Sequence, residues 1–388
     1  MAQRRIPAAF IRGGTSKGVF FHKHDLPDDE RARDAILLQV LGSPDRYARQ
    51  LDGLGGGISS LSKAVMIAPS GHPDADIDYT FAQVAVDEPV VDYAATCGNL
   101  SSAVGPFAVD EGLITVPDGE TTVRVFNTNT EKIYHARFTV KNGAAVVTGD
   151  AAIPGVSGSG APVALEYLNP GGSRTNGLLP TGAAVDTLTL PDGTDVAASL
   201  VDATNPVAFV RAADLDADLS LLPNRIDNDR SLMARLDEIR RAAAVRFALA
   251  DTPQSAVLSN PKIAMVGAPA AFEDLSGDAH PANTVDICAR AVSMGNTHRA
   301  LPLTLAMCLA TACRTPGTIP NQIAALGDDG RDVRLGNPSG VIVAGADVEM
   351  VGNAWTVHRC RVMRTQRRLM EGSVLVPETA SQSHAGAA

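Results

Sequence analysis

Two stretches of the chain, Ser62-Lys63-Ala64-Val65-Met66-Ile67-Ala68-Pro69 and Pro261-Lys262-Ile263-Ala264-Met265-Val266-Gly267-Ala268-Pro269, share one pattern. In each, a lysine opens a short apolar run that ends near a proline, which is typical of a buried strand. Thr96-Cys97-Gly98-Asn99 follows the first stretch and Ser293-Met294-Gly295-Asn296 follows the second, at nearly the same spacing. The repeated order predicts two similar halves, although fragments this short can also match by coincidence.

In each half the Gly-Asn pair precedes a helical pattern that is apolar on nearly every face, at residues 100–111 and 297–313. A helix of this kind must be covered on all sides. Strand-like runs are available to cover it at 121–127, 136–140, 144–148, 340–344 and 373–376. The sequence therefore predicts an α+β fold with two pseudo-symmetric halves, each a mainly antiparallel sheet wrapped around a central helix.

The break at Asn169-Pro170-Gly171-Gly172 predicts a boundary between the halves. We assign residues 1–180 to the N-terminal half with Lys63 and Cys97, and residues 181–388 to the C-terminal half with Lys262. The Ser293–Gly295 segment is expected to start the helix of the second half. A cleft between the halves is the expected place for an active site.

The composition excludes several classes of function. The chain has 388 residues, 45% apolar and 20% charged, as in a soluble globular protein. A formal net charge of -10 argues against nucleic acid and anionic membranes as partners. The N-terminus lacks a signal-peptide core, and the apolar stretch 300–312 is shorter than the roughly 20 residues that a membrane helix needs. We therefore expect a cytoplasmic protein.

The cysteines and histidines argue against metal chemistry. The five cysteines are scattered and lack C-x-x-C spacing, so neither a disulfide framework nor a zinc site is expected. None of the eight histidines forms an H-x-x-x-H pair, and no G-x-S-x-G motif of a serine hydrolase is present. The sequence predicts no metal.

Lys63 and Cys97 are the candidates for chemistry. Cys97 lies at the predicted start of a helix, where backbone N–H groups favour a thiolate or bind an anion. Lys63 opens a buried strand, where partial desolvation suits a general base. The alternatives are a small core cysteine and an ordinary solvated lysine. Met294 takes the place of Cys97 in the second half, which disfavours a racemase with two thiols.

Two glycine-containing loops are further candidates. Residues 12–18, Arg-Gly-Gly-Thr-Ser-Lys-Gly, form either a turn that cradles an anion or a plain β-turn. The run from Gly53 to Gly57 lacks the pattern of a P-loop or a dinucleotide site, and we interpret it as a loop of close backbone approach.

Ordered motifs along nearly the whole chain resemble the PrpF family. They are Ile11-Arg12-Gly13-Gly14-Thr15-Ser16-Lys17-Gly18-Val19-Phe20-Phe21, Gly42-Ser43-Pro44-Asp45, Gln50-Leu51-Asp52-Gly53, Ser62-Lys63, Cys97-Gly98-Asn99 with Val104-Gly105-Pro106-Phe107-Ala108, Leu179-Pro180-Thr181-Gly182, Ser293-Met294-Gly295 and Pro338-Ser339-Gly340. The resemblance implies a diaminopimelate-epimerase-like fold and no organic cofactor. It also implies that Lys63 and Cys97 are catalytic. The substrate-binding positions that it implies are Thr15, Ser16, Lys17, Ser60, Gly98, Asn99, Lys262, Ser293, Met294 and Gly295.

The implied reaction is an allylic isomerisation of a small unsaturated di- or tricarboxylate. Removal of a proton next to a conjugated double bond gives a delocalised dienolate, which helix N-termini and lysines can stabilise. Lys63 would take the proton, while Cys97 would either return it or position a carboxylate. A homodimer is a further expectation.

Different segments of the chain resemble two branches of the family that act on different substrates. Residues 58–62 resemble the branch that acts on 2-methylaconitate or aconitate, whereas 149–156 and 170–173 resemble the 4-oxalomesaconate tautomerase branch. Asn296 also departs from a lysine common in the methylaconitate enzymes. An amino-acid racemase or epimerase, and a non-enzymatic accessory protein of an aconitase-like enzyme, are the remaining alternatives; the scattered cysteines count against the accessory role.

Overall fold

The computed structural model describes residues 3–93, 96–258, 260–293, 295–327 and 330–377. The chain divides into two compact units. Unit 1 contains the residues up to 165 and those from 364 onward, and unit 2 contains residues 166–363. This division differs from the predicted one because residues 366–377 pair with the first described strand, residues 3–13, and so belong to unit 1.

Unit 1 consists mainly of strands, with two α-helices among its described residues. Its strands are β1 (Gln3–Gly13), β2 (Ser16–His22), β3 (Lys63–Pro69), β4 (Ile77–Val84), β5 (Val91–Asp92), β6 (Gly119–Asn127), β7 (Lys132–Lys141) and β8 (Ala144–Ala145). Its helices are α1 (Glu30–Leu41) and α2 (Ser101–Asp110). The boundary with unit 2 falls inside the next strand, β9 (Pro162–Leu168).

Unit 2 follows with more strands and four helices. Its strands are β10 (Asp186–Thr189), β11 (Asp195–Asp202), β12 (Pro206–Arg211), β13 (Lys262–Gly267), β14 (Phe272–Glu273), β15 (Ala279–His280), β16 (Ile287–Ser293), β17 (Asn296–Thr297), β18 (Val333–Asn337) and β19 (Gly340–Val351). Its helices are α3 (Pro223–Asp227), α4 (Arg230–Arg246), α5 (Leu303–Arg314) and α6 (Ile319–Ile323). The final strand, β20 (Ala354–Pro377), begins in unit 2 and ends in unit 1.

The strand pairings of the two units repeat one another. In unit 1, β1 and β2 are antiparallel, β2 and β3 parallel, β3 and β4 antiparallel, and β4 and β6 parallel. In unit 2, β11, β12, β13, β16 and β18 pair in the same order with the same directions. Other neighbouring strands, such as β6 with β7 and β18 with β19, are antiparallel. The predicted α+β class with two pseudo-symmetric, mainly antiparallel halves is confirmed.

One buried helix lies inside each sheet, as predicted. Residues 101–109 of α2 are all buried, and the helix contacts β1, β4, β6, β7 and β8. In α5 every residue from Leu305 to Cys313 is buried, and the helix contacts β11, β12, β18 and β19. Because strands surround each helix, apolar side chains are favoured on all of its faces.

The predicted start of the second helix is wrong. Gly295, at φ 80°, lies in the turn of a hairpin in which Ser293 pairs with Asn296, and α5 begins only at Leu303, after Pro302. A glycine with positive φ serves a tight turn as readily as a helix entry, so the Gly-Asn pair misled the prediction. No helix in the described ranges has the length and apolar character of a membrane span.

Candidate functional site

Lys63 is held at the start of β3. The residue follows a single 3-10 turn, Ser59–Leu61, and Gln83 of the neighbouring strand donates hydrogen bonds to the carbonyls of Ser59 and Ser62. Gln50 donates to the Ser62 hydroxyl at 2.7 Å. These contacts fix the backbone on the N-terminal side of Lys63, whose side chain is only 9% exposed.

Cys97 lies in the segment that joins β5 to α2 and is 6% exposed. Its carbonyl accepts hydrogen bonds from the N–H of Ser101, at 3.0 Å, and from the Tyr79 hydroxyl, at 3.3 Å. The first of these bonds is the opening i to i+4 bond of the helical turn, so Cys97 does lie at a helix entry, as predicted. The carbonyl group of Cys97 is therefore held by two hydrogen bonds.

The two predicted catalytic side chains meet. The Nζ atom of Lys63 lies 3.3 Å from Sγ of Cys97 in a buried setting. The same Nζ lies 5.2 Å from the centre of the Phe81 ring, within the range of a cation–π contact. The hydroxyl of Ser16 is 4.0 Å from the sulfur. An amine and a thiol at this distance can exchange a proton, so the pair can supply both a base and an acid.

The loop at residues 12–18 is the turn of the β1–β2 hairpin. Gly13 pairs with Ser16, and the two-residue turn places Gly14 at φ 53°. The turn packs on the helix entry: Asn99 donates from Nδ2 to Thr15 Oγ1 at 3.1 Å. Ser16 is buried beside Cys97, while Lys17 lies over the ring of Phe10, 5.4 Å from its centre. The loop is thus a β-turn that brings Thr15 and Ser16 to the lysine and thiol.

The other predicted positions of unit 1 flank this pair. Ser60 lies in the 3-10 turn before Lys63 and is half-buried, and Gly98 lies in the turn between Cys97 and α2. The glycine run from Gly53 to Gly57 has a structural role. A Cβ atom on Gly53 would lie 2.2 Å from the Gly42 nitrogen, so the close approach there is between two parts of the same loop region rather than toward a ligand.

In unit 2, Lys262 opens β13 in the same place that Lys63 holds in β3. Ser293 ends the adjacent strand β16, and Gly295 forms the hairpin turn that follows. Met294 and the side chain of Ser293 lie outside the described residues. Burial lowers the pKa of Lys262 below its usual value of 10.5. The ammonium of this lysine is therefore poorly solvated.

The sequence analysis takes Met294 as the counterpart of Cys97. By the order of strands and helices, the counterpart lies a few residues later in the chain. Cys97 follows β5 and precedes α2; the corresponding segment follows β17 and precedes α5, and consists of residues 298–302, His-Arg-Ala-Leu-Pro. The segment contains no cysteine. The argument against a racemase with two thiols therefore holds, but on these residues rather than on Met294.

His298 was missed by the sequence interpretation. Its Nε2 atom is buried and has no hydrogen-bond partner among the residues that the structure describes. Burial, and after it the positive charge of Lys262, lowers the pKa of His298 to about 4. In the sequence this residue is one of eight histidines with no motif around it, so only its placement in the repeat could have identified it.

A cavity lies within unit 2. Its volume is about 340 Å³, and it is lined by Asn169, Gly171, Asn176, Gly177, Leu178, Leu179, Gly182, Asn353, Ala354, Trp355, Thr356 and Val357. None of the predicted catalytic or binding residues is among them. Within the described ranges, no group of three or more His, Cys, Asp or Glu side chains is arranged to hold a metal ion.

Comparison with known proteins gives consistent matches along the chain. The sequence profile of the family described as "PrpF protein" matches residues 3–377. The chain is 41% identical to a 3-methylitaconate isomerase of Eubacterium barkeri, over 96% of this chain and 98% of the relative. It is 40% identical to a 2-methyl-aconitate isomerase of Shewanella oneidensis, over 97% and 98%. A (4E)-oxalomesaconate Delta-isomerase of Novosphingobium is 35% identical, over 95% and 97%.

Solved structures agree with these matches. A crystal structure of a methylitaconate-delta-isomerase superposes with a TM-score of 0.89 at 39% identity, covering 98% of this chain and 99% of the other. A hydroxyproline epimerase from Agrobacterium vitis superposes with a TM-score of 0.51 at 12% identity, covering 97% and 94%, and shows the fold alone. The predicted epimerase-like fold is confirmed.

Proposed function

The chain belongs to the PrpF family and is an isomerase, and we propose that it moves a proton and a double bond within a small unsaturated polycarboxylate. The family resemblance of the motifs and the predicted enzyme class are confirmed by the matches. The substrate, the site residues and the mechanism are our proposal. The observation that carries it is the distance of 3.3 Å between Lys63 Nζ and Cys97 Sγ.

Lys63 acts as the general base. It removes a proton from the sp3 carbon next to the double bond, and the electron pair spreads over a dienolate that ends on a carboxylate. Phe81 and the buried strand β3 exclude water on one side of the amine. Exclusion of water strengthens the electrostatic interactions that stabilise the developing charge.

Cys97 lies within reach of the same proton. We assign it the return of a proton to the other allylic carbon, with Lys63 restoring the thiol afterwards. Its backbone is fixed at the entry of α2, where unpaired N–H groups favour negative charge on a bound carboxylate or on the sulfur. The alternative assignment, in which Cys97 only positions a carboxylate, makes a different kinetic prediction that is given below.

The substrate class is a C6 or C7 acid of the methylitaconate and methylaconitate type. Two matched relatives, at 41% and 40% identity, are named for these acids. The second candidate is an oxalomesaconate, because one matched relative is named for it and because Gly155, in a segment that resembles that branch, lies close to Thr15. A Cβ atom on Gly155 would lie 3.3 Å from the Thr15 methyl group.

Deuterium exchange tests the proposal. The protein is incubated in D₂O with 3-methylitaconate, 2-methylaconitate or 4-oxalomesaconate, and the allylic protons and double-bond position are followed by NMR. We expect exchange and isomerisation with at least one of the first two acids, and slower or no reaction with the third. Absence of exchange with all of them contradicts the proposed function, while exchange with only the third supports the second candidate.

A further inference from the structure

One segment in each unit joins a short edge strand to the buried helix. In unit 1 this segment follows β5 and carries Cys97; in unit 2 it follows β17 and begins with His298. In unit 1 Lys63, which opens β3, lies 3.3 Å from Cys97. In unit 2 Lys262, which opens β13, and His298 lie on opposite sides of the same strand, β16, and the charge of Lys262 acts on the imidazole.

The backbone N–H of His298 has a hydrogen-bond partner, whereas the Nε2 atom of its side chain has none in the described part of the chain. Its N–H donates to the carbonyl of Ala291 on β16 at 2.8 Å, which continues the β16–β17 hairpin by one residue. Its Nε2 atom is buried without a hydrogen-bond partner in the described part of the chain. A buried polar atom left in this way destabilises the protein, and most such atoms in proteins have a partner.

The charges around the imidazole define what that partner would be. Burial and the charge of Lys262 keep the imidazole neutral at pH 7. The neighbouring charged groups are Lys262 on β13, Arg299 next along the chain, and Asp227 at the end of α3, which accepts the N–H of Thr297. A neutral imidazole that keeps a proton on Nε2 is a hydrogen-bond donor, and the charge of the poorly solvated Lys262 ammonium acts on it.

We propose that His298 donates its Nε2–H to a carboxylate of the substrate, and that Lys262 supplies the opposite charge for the same carboxylate. This inference rests on the proposed function and adds a binding residue to it. A carboxylate oxygen accepts only, so it matches a donor and a cation together. A neutral imidazole also adds no second full positive charge, so the carboxylate is held without trapping the product.

Binding of a saturated tricarboxylate tests the inference without turnover. Propane-1,2,3-tricarboxylate is titrated calorimetrically into the wild type, His298→Leu and His298→Gln. Loss of one hydrogen bond to a charged group should raise the Kd of His298→Leu by roughly tenfold or more. His298→Gln keeps an N–H donor and should recover part of that loss. The exposed histidine of the His358–Glu349 pair gives the matched control, His358→Leu, which should bind like the wild type.

A second measurement covers the case in which His298→Leu does not fold. The imidazole ¹⁵N resonances of the wild type are followed by NMR during the same titration, with His298→Gln used to assign the His298 signal. We expect the Nε2 resonance to shift on binding and the pKa of His298 to rise, because a bound anion favours the imidazolium. An unchanged resonance, equal affinities of His298→Leu and the wild type, or no binding by the wild type would overturn the inference.

The two proposals fail in different ways. Tricarboxylate binding that depends on His298, in a protein that exchanges no allylic deuterium, contradicts the proposed function and leaves the binding site standing. Exchange and isomerisation that proceed with unchanged KM and kcat in His298→Leu contradict the inference and leave the proposed function standing.

Discussion

Lys63 and Cys97 face one another with their nitrogen and sulfur atoms 3.3 Å apart, although 34 residues separate them in the chain. The antiparallel pairing of β3 with β4 fixes the backbone of Lys63. The position of Cys97 just before α2 fixes the backbone of the cysteine. Regular secondary structure therefore holds the backbone next to both groups. Their contributions to catalysis can therefore be separated by substitution.

Replacing Lys63 by methionine should remove the base while preserving the apolar stem. We expect kcat to fall by about 10³-fold or more, in line with the loss of general base catalysis, and allylic deuterium exchange to disappear. Lys132→Met, on the exposed end of β7, is the control and should leave both rates unchanged. A Lys63→Met enzyme that still exchanges deuterium at the wild-type rate would show that another group is the base.

Replacing Cys97 by serine and by alanine distinguishes its two proposed roles. If Cys97 returns the proton, deuterium exchange by Lys63 should survive in both variants while the double-bond shift slows by about 10²-fold. If it only positions a carboxylate, exchange and shift should fall together, and KM should rise. Cys288→Ala, which removes a buried thiol bonded to the Ala270 carbonyl, is the control.

The hairpin turn that holds Asn99 should be sensitive to a single methyl group. A Cβ atom on Gly14 would lie 2.3 Å from Asn99 Oδ1, and the backbone there has φ 53°. Gly14→Ala should therefore displace Asn99 and reduce kcat/KM by about tenfold, since one misplaced ångström near a reacting centre is costly. Gly71→Ala, where nothing lies within 4 Å of the added atom, should behave like the wild type. Unchanged kinetics in Gly14→Ala would argue against a role for this turn.

The Lys262–His298 pair should couple in titration. Burial is the main cause of the low pKa of His298 and the charge of Lys262 the second, so Lys262→Met should raise that pKa above about 4 without restoring 6.5. Histidine NMR titration measures this directly. A pKa that does not move in Lys262→Met would place the lysine too far from the imidazole for the proposed shared carboxylate.

The same histidine should affect stability at acid pH. Its folded pKa lies below its unfolded value of 6.5, so the unfolded chain binds an additional proton between pH 6.5 and about 4. Stability from the neutral imidazole is therefore present above pH 6.5 and lost as the pH falls toward 4, by about 1.4 kcal/mol for each pH unit. Urea unfolding at several pH values should show a flatter dependence in His298→Gln than in the wild type. Identical profiles would contradict a buried neutral His298.

Asp286 should be important for stability rather than for catalysis. Its buried carboxylate accepts hydrogen bonds from Arg331 and Arg334; burial alone would raise its pKa, but these bonds outweigh burial and hold the pKa well below its usual value. Asp286→Asn should destabilise the protein by roughly 3 kcal/mol, at the lower end for a broken buried pair because both arginines reach solvent. Asp251→Asn, at an exposed position, is the control for urea unfolding. Equal unfolding midpoints would contradict this account.

Much of the fold could be predicted because its signals are local. The apolar run that begins at Lys63 is β3, with the predicted bounds, and the apolar pattern at 100–111 is α2 to within a residue at each end. The order of a lysine, a strand and a buried helix repeats in both halves, so the pseudo-symmetry was visible in the sequence. In these cases one short segment carries enough information to fix its own structure.

The predictions that differ from the structure concern features that depend on contacts between residues far apart in the sequence. The start of α5 was misplaced because Gly295 turns a hairpin, and a hairpin turn and a helix entry favour the same residue types. His298 gives no signal of its own; its burial depends on β13, β16 and Lys262, which lie elsewhere in the chain. The division at residue 180 missed the pairing of β20 with β1, which joins the two ends of the chain.

That last pairing also sets the order in which the protein can be completed on the ribosome. β1 is translated before all of unit 2, but its partner in β20, from Gln366 to Pro377, is translated only after unit 2. Residues 3–13 must therefore wait through the synthesis of more than 300 further residues with one edge unpaired. Lys63 and Cys97 are made before unit 2, whereas this strand pairing within their own unit can form only after unit 2 has been made.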